Sequence, residues 1–181
     1  MERTTRAFVA SAGIAVCVAL LLVRPALVAG AGSGSLVLVY AAVAGVALAA
    51  TNTELDGRRL HPAIVLAIGL LAVSLVRTRS GFAVPMHAGA AAIALNTAAA
   101  IAEEAFFRRY LYGVLARWGA AVAIGGSALG FALVHLPAYG TQAFAVDLGA
   151  GLLLSWQRWT SGSWTVPAAT HAAANLLAVI G

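Results

Sequence analysis

Three sites stand in the second half of the chain, each with a side chain suited to acid–base chemistry: Glu103-Glu104 with Arg108, His135 at the end of the apolar run from Phe131, and His171 with Asn175. Each lies within an apolar segment, where an ionisable side chain costs at least ~2.5 kcal/mol at a bilayer centre and is usually functional. Glu104 and Arg108 are four positions apart with the acid first, the favourable order for an ion pair on one helix face. Glu103 points about 100° away from Glu104 on a helix, so Arg108 cannot easily neutralise both carboxylates. That leaves Glu103 open to other partners, the setting in which a general base is made. His135 ends an apolar run just before Pro137; taken alone, such a histidine is more often structural or interfacial than catalytic. His171 and Asn175 share a helix face four positions apart, and alone they could equally be a helix–helix hydrogen-bonding device.

The elements that must hold these groups are apolar and helical. Of 181 residues, 62% are hydrophobic and 9% charged, against roughly 25% charged in soluble domains. A soluble domain would have nowhere to put so much apolar surface. Apolar stretches at about 7–23, 35–51, 60–76, 82–102, 119–138, 142–157 and 164–180 predict an all-α, polytopic transmembrane helical bundle. Six or seven spans are expected, although several stretches fall short of the ~20 residues that cross a bilayer. Breaks fall at Arg24-Pro25, the Gly/Ser run 30–35, residues 51–59 with Glu54 and Asp56, Arg77 to Gly81, and 161–164. None is long enough to start a second domain. Residues 1–181 are therefore read as one membrane-embedded domain, with motif-free N-terminal helices over 1–82 and the motif-bearing core over 83–181. Arg3 and Arg6 ahead of the first apolar run, with Ala29-Gly30 after it, resemble a secretory signal. The run is long for that and further spans follow at once, so an uncleaved first helix is expected.

Helix arithmetic asks whether the three constellations can meet. With a continuous helix from about 88 to 117 and a turn at Gly119, Glu103 lies roughly 21 Å from its helix end and His135 roughly 24 Å along the next helix. They reach similar depth on antiparallel neighbours. His171 and Asn175 lie roughly 10 and 16 Å into a last helix that starts near Trp164, which fits only if that helix is tilted or displaced.

With these residues in order, the chain resembles the CAAX protease and bacteriocin-processing family, also called Abi, of intramembrane glutamic endopeptidases. The family's motifs EExxxR, FxxxH and HxxxN or HxxxD match Glu103-Glu104-xxx-Arg108, Phe131-xxx-His135 and His171-xxx-Asn175 over about 88–178. A Gly often follows the motif arginine; here Arg109 does. The resemblance implies hydrolysis of a peptide bond within or near the membrane without a covalent intermediate. Glu103 and His135 would activate a water, and His171 with Asn175 would stabilise the oxyanion. Glu104, Arg108 and Phe131 would support these groups from behind. No cofactor is implied.

Rival readings remain open. Glu103, His135 and His171 are a plausible Zn²⁺ triad of a membrane metalloprotease, although no His-Glu-x-x-His helix is present. Nucleophilic catalysis finds no support, since Cys17 is remote and no Gly-x-Ser-x-Gly elbow occurs. A non-enzymatic scaffold or proton-coupled transporter would use Glu103, the histidines and Asp147, an acid the protease motifs do not explain. The bland role for Asp147 is a capped acid or one paired with Arg158 or a neighbouring helix.

The net charge is +5, and all eleven basic residues are Arg. They sit between apolar runs, not along one stripe with aromatics, so they read as topology signals and not as nucleic-acid contacts. If the connections alternate sides, Arg3, Arg6, Arg58, Arg59, Arg108, Arg109, Arg117 and Arg158 oppose Arg24, Arg77 and Arg79. That predicts a cytoplasmic N-terminus. The composition suits a bacterial inner-membrane protein whose partners are the bilayer and a protein or peptide substrate. Trp118, Trp156, Trp159 and Trp164 are expected at the membrane interface, as are His61 and His87; Asn96 is expected to bond between helices, and Cys17 to pack or face lipid.

Overall fold

The computed structural model describes residues 2–50, 60–80 and 89–180. Within them the chain is all-helical, in eight helices: α1 Glu2–Leu22, α2 Arg24–Ala31, α3 Ser35–Ala49, α4 Pro62–Ser80, α5 Ala90–Trp118, α6 Ala120–Tyr139, α7 Phe144–Ser161 and α8 Thr165–Ile180. The connection 51–59, with Glu54, Asp56, Arg58 and Arg59, and the segment holding His87 lie outside the described residues. Arg24-Pro25 was expected to be a gap; instead it opens a short helix bent 51° from α1. Proline suits that first turn, because its missing amide hydrogen would have no helical acceptor.

Among the described residues two helices are long and apolar enough to cross a membrane, Ala90–Trp118 and Ala120–Tyr139, and a third span results if bent α1 and α2 are taken together. Ser35–Ala49 and Pro62–Thr78 are apolar but shorter. Of the expected six or seven spans, two or three are shown among the described residues by the length requirement of ~20 residues.

α5 is not one continuous α-helix. After Glu104 it widens into a π-helix over Ala105–Leu111, then closes through Tyr112–Leu115 and a 3-10 turn at Ala116–Trp118. The Phe107 carbonyl takes the Tyr112 amide five residues on, and also the Ser127 hydroxyl of α6 at 2.8 Å. The Arg108 carbonyl accepts from Arg158 Nε of α7 at 3.1 Å. Side chains from two neighbours therefore satisfy the backbone that the wide turn exposes, which is how a π segment survives in a buried place. Gly119, at φ 101°, makes the reversal into α6 in a backbone region that other residues avoid.

α5 and α6 form the centre. α3 packs along α5, α8 lies against the other side of α5 and against α4, and α7 packs closely on α6. An apolar core of Cys17, Leu21, Val39, Val43, Phe106, Phe107, Tyr110, Phe131 and Val134 joins α1, α3, α5 and α6. Cys17 is thus a packing residue. Small residues set the approach distances. At Gly151 of α7 a Cβ would meet the Ala128 backbone of α6 at 2.9 Å, and Gly13 of α1 leaves room for the Tyr110 hydroxyl, which bonds the Ala10 carbonyl at 2.8 Å. The interior is rich in polar groups: Glu104, Arg108 and Gln157 are wholly enclosed, while Phe8, Leu38, Leu71 and Val146 are mostly exposed.

Candidate active site

α5 brings its two carboxylates into separate networks. Glu103 is buried, and its Oε1 accepts from Arg24 Nη1 at 2.5 Å while Oε2 faces His135 Nε2 of α6 at 3.7 Å. That second separation is longer than a hydrogen bond. His135 Nδ1 lies 2.7 Å from the Phe131 carbonyl, which can only accept, so Nδ1 carries the proton and Nε2 of the neutral ring is an acceptor. With the ring neutral, Glu103 Oε2 and His135 Nε2 are thus two acceptors facing each other at 3.7 Å.

Glu104 serves the other network. Its Oε1 receives Arg108 Nη1 at 3.0 Å, as the four-residue spacing predicts, and His171 Nδ1 of α8 at 2.9 Å. Arg108 is fully enclosed; Nη2 donates to the Gly151 carbonyl at 3.3 Å, and the guanidinium lies over the Phe131 and Phe107 rings at 4.6 and 5.6 Å. Such stacking is a favourable way to enclose a cation.

Phe131 stands between the networks. Its ring lies 4.4 Å from that of His135, 5.6 Å from that of His171 and 5.4 Å from that of Phe107. Together with its carbonyl, which orients His135, this accounts for an aromatic residue one turn before the histidine. The last helix therefore does reach the depth of the other two, with His171 at Glu104. Asn175, one turn further on, donates through Nδ2 to the Asn96 carbonyl of α5 at 3.2 Å, which leaves its second amide hydrogen available. Asn96 does join two helices, but through its backbone; its side chain bonds back to the Ala92 carbonyl of its own helix.

Arg24 is the site residue that the spacing arguments missed. It was counted as a loop charge, yet it is only 7% exposed. Its Nε donates to the Leu21 carbonyl at 2.9 Å, Nη1 to the Tyr40 hydroxyl of α3 at 3.0 Å as well as to Glu103, and Nη2 to the Val134 carbonyl of α6 at 3.5 Å. The signal was present in the sequence: Leu20 to Val23 and Ala26 to Val28 flank Arg24-Pro25 with apolar residues, and a charge inside an apolar run is a candidate for function. The motif-free N-terminal helices therefore supply a partner to the candidate site.

Three other arginines also depart from a topology role. Arg108 and Arg158 are buried. Arg109, which stands where a glycine often follows the motif arginine, donates Nη1 to the Ala47 carbonyl and to the Ala50 carbonyl at 3.0 Å, closing the C-terminal end of α3. Asp147 lies in the first turn of α7 and Arg158 in its last turn, roughly 16 Å apart along the axis, so the suggested pairing of the two does not form. Asp147 instead lies in the electrostatic field of His135, Glu103 and His171. Tyr139 stacks on His135 at 5.6 Å with the rings 12° apart.

The zinc alternative would draw on Glu103 Oε2, His135 Nε2 and His171 Nε2, the atoms left when Arg24 takes Glu103 Oε1, the Phe131 carbonyl takes His135 Nδ1 and Glu104 takes His171 Nδ1. Among the described residues no three of His, Cys, Asp and Glu converge as a metal-holding group. A cavity of about 510 Å³ between α3 and α5 reaches Tyr40 and Ala102, the neighbours of Arg24 and Glu103, and is lined elsewhere by Val37, Ala44, Leu95 and Ile101.

The sequence model of a family described as Type II CAAX prenyl endopeptidase Rce1-like matches residues 85–177, which contain all three constellations and just over half of the chain. No curated protein and no solved structure matches.

Proposed function

Because the chain belongs to the Rce1-like type II CAAX prenyl endopeptidase family, we propose that it is an intramembrane endopeptidase that activates water between Glu103 and His135. The supporting observation is the pair of acceptors, Glu103 Oε2 and His135 Nε2, that face one space at 3.7 Å. A water can donate one hydrogen to each. As it attacks the scissile carbonyl, the pair takes a proton from it; the tetrahedral intermediate then collapses, and that proton leaves on the departing amine.

The developing oxyanion needs donors that are already oriented. Asn175 supplies its spare amide hydrogen. His171, whose Nδ1 hydrogen is taken by Glu104, donates through Nε2 when it carries both protons. Glu104 and Arg108 hold that histidine and neutralise each other. The apolar cavity beside Glu103 accommodates a hydrophobic stretch of a peptide substrate.

The site is proposed to work within a membrane. Polar groups are enclosed while large apolar side chains face outward, the arrangement that lipid favours and water does not. The shorter apolar helices then cross where the bilayer is locally thinned, which would restore the larger number of spans. With the buried Arg24, Arg108 and Arg158 and the backbone-bonded Arg109 set aside, Arg3, Arg6, Arg58, Arg59 and Arg117 oppose Arg77 and Arg79. That balance supports a cytoplasmic N-terminus.

The test is comparative peptidomics of membranes from cells producing the wild-type protein or Glu103→Ala at equal levels. Cleavage products present only with wild type are expected, and they would identify the substrates. Identical peptidomes would remove the endopeptidase reading.

A further inference from the structure

A general base is effective only if its reactive oxygen is aimed, and Glu103 sits two residues before its helix loses regular α geometry. Glu104 and Arg108 cannot aim it, because they belong to a different network. The group that touches Glu103 directly, other than His135, comes from outside the three motifs.

Arg24 lies at the 51° break between α1 and α2, where Pro25 prevents the two helices from merging. The break turns a long side chain inward instead of along a helix face. Its guanidinium is held by the Leu21 carbonyl, the Tyr40 hydroxyl and the Val134 carbonyl, so partners from α1, α3 and α6 fix the plane before Glu103 is considered. The remaining bond, at 2.5 Å, goes to Glu103 Oε1 and leaves Oε2 turned towards His135 Nε2. A planar fork held by several acceptors keeps its direction in a way that a single ammonium does not. The other charged or titratable groups in the field of this pair are Tyr40 on α3, His135 and Tyr139 on α6, Asp147 on α7, Arg108 on α5 and His171 on α8. Among the described residues none of these bonds Glu103 Oε1, and His135 faces the other oxygen.

We infer that Arg24 is a positioning residue for hydrolysis, tying one oxygen of Glu103 to the α1–α2 break so that the other is presented, with His135, to the attacking water. This rests on the water-activating role proposed for Glu103. It also gives the N-terminal helices a part in the chemistry, since the fork that aims the base is built on α1, α2 and α3.

The experiment uses the full chain in proteoliposomes with a mixed library of internally quenched fluorescent peptides. Initial rates are compared for wild type, Arg24→Met, Arg24→Lys, Glu103→Ala and the double variant Arg24→Met with Glu103→Ala. Arg24→Met is expected to lower kcat about 100-fold, the scale of a misplacement near 1 Å, with KM unchanged. The double variant is expected to be no slower than Glu103→Ala alone, because groups acting through one another are not additive. A purely architectural Arg24 would instead slow the double variant further. Arg24→Lys, which keeps the charge but not the fork, is expected to fall between wild type and Arg24→Met. If Arg24→Met does not fold, as judged by thermal unfolding, Arg24→Lys carries the test, and wild-type kcat there overturns the inference. Wild-type kcat in folded Arg24→Met likewise overturns it, provided Glu103→Ala is much slower than wild type. A Glu103→Ala protein as fast as wild type would sink the underlying catalytic reading instead.

Discussion

His171 is bonded through Nδ1 to Glu104 Oε1 at 2.9 Å, so the second carboxylate of the adjacent pair ties the last helix to α5. The same oxygen takes Arg108, and Arg108 has no contact with solvent. One residue along the chain, Glu103 is tied to the first two helices. Adjacent acids thus work in different parts of the site because successive positions on a helix diverge by about 100°.

The enclosure of Arg108 sets the effect of removing Glu104. Glu104→Ala leaves a buried cation without its counter-charge, a change that typically costs about 3–5 kcal/mol. Thermal unfolding in detergent should show a large loss of stability, and adding Arg108→Met should recover much of it. Additive losses in the double variant would mean that the two side chains do not depend on each other.

Phe131 touches both site histidines and lies under Arg108. Phe131→Ala should cost about 3–5 kcal/mol as a large buried side chain lost from the core, and kcat should fall as both histidines lose their packing. Phe131→Leu should keep more of each. Equal kcat in all three proteins would show that the ring does not orient the histidines.

Two glycines of α7 provide an internal comparison. A Cβ at Gly151 meets the Ala128 backbone, whereas a Cβ at Gly149 meets nothing within 4 Å. Gly151→Ala should force α7 away from α6, strain the Arg108 bond to the Gly151 carbonyl and destabilise by about 1–3 kcal/mol. Gly149→Ala should be neutral or stabilising, because alanine is the better helix former. Matching melting temperatures for the two variants would contradict this close approach.

Asn175→Ala should lower kcat by about 10²–10³-fold, the loss seen when one oxyanion donor is removed. Asn96→Ala should do much less, because Asn175 bonds the backbone carbonyl of Asn96 and not its side chain. If the two substitutions have equal effects on kcat, Asn175 acts through packing alone.

Removal of metal separates water activation by Glu103 and His135 from a zinc mechanism. Activity measured after dialysis against a strong chelator, with metal content verified by elemental analysis, should be unchanged. Activity that disappears and returns on adding Zn²⁺ would favour the zinc mechanism instead.

Much of the site was legible because its groups repeat at helical spacing. Glu104 with Arg108, Phe131 with His135 and the shared face of His171 and Asn175 all follow from a 3.6-residue period, and the family match covers the same residues. Helix limits near 35–49, 120–139 and 165–180 were marked by apolar runs between breakers. The π segment after Glu104 was not legible, because Ser127 and Arg158 satisfy it from other helices. Nor was the partner of Glu103. Periodicity reports neighbours on one helix, whereas Arg24 reaches Glu103 across 79 positions of sequence, and its charge resembled an ordinary loop signal until α2 was found behind it.

The central claim is that Glu103 removes a proton from the attacking water. The most direct measurement is the single-turnover rate of peptide hydrolysis by purified, reconstituted Glu103→Gln, with folding matched to wild type by thermal unfolding. The amide keeps the shape and size of the side chain but cannot accept the proton as a carboxylate does. The predicted result is a fall in the chemical rate of about 10²–10⁴-fold, the usual contribution of general base catalysis, with substrate binding unchanged. Hydrolysis at the wild-type rate would contradict the claim.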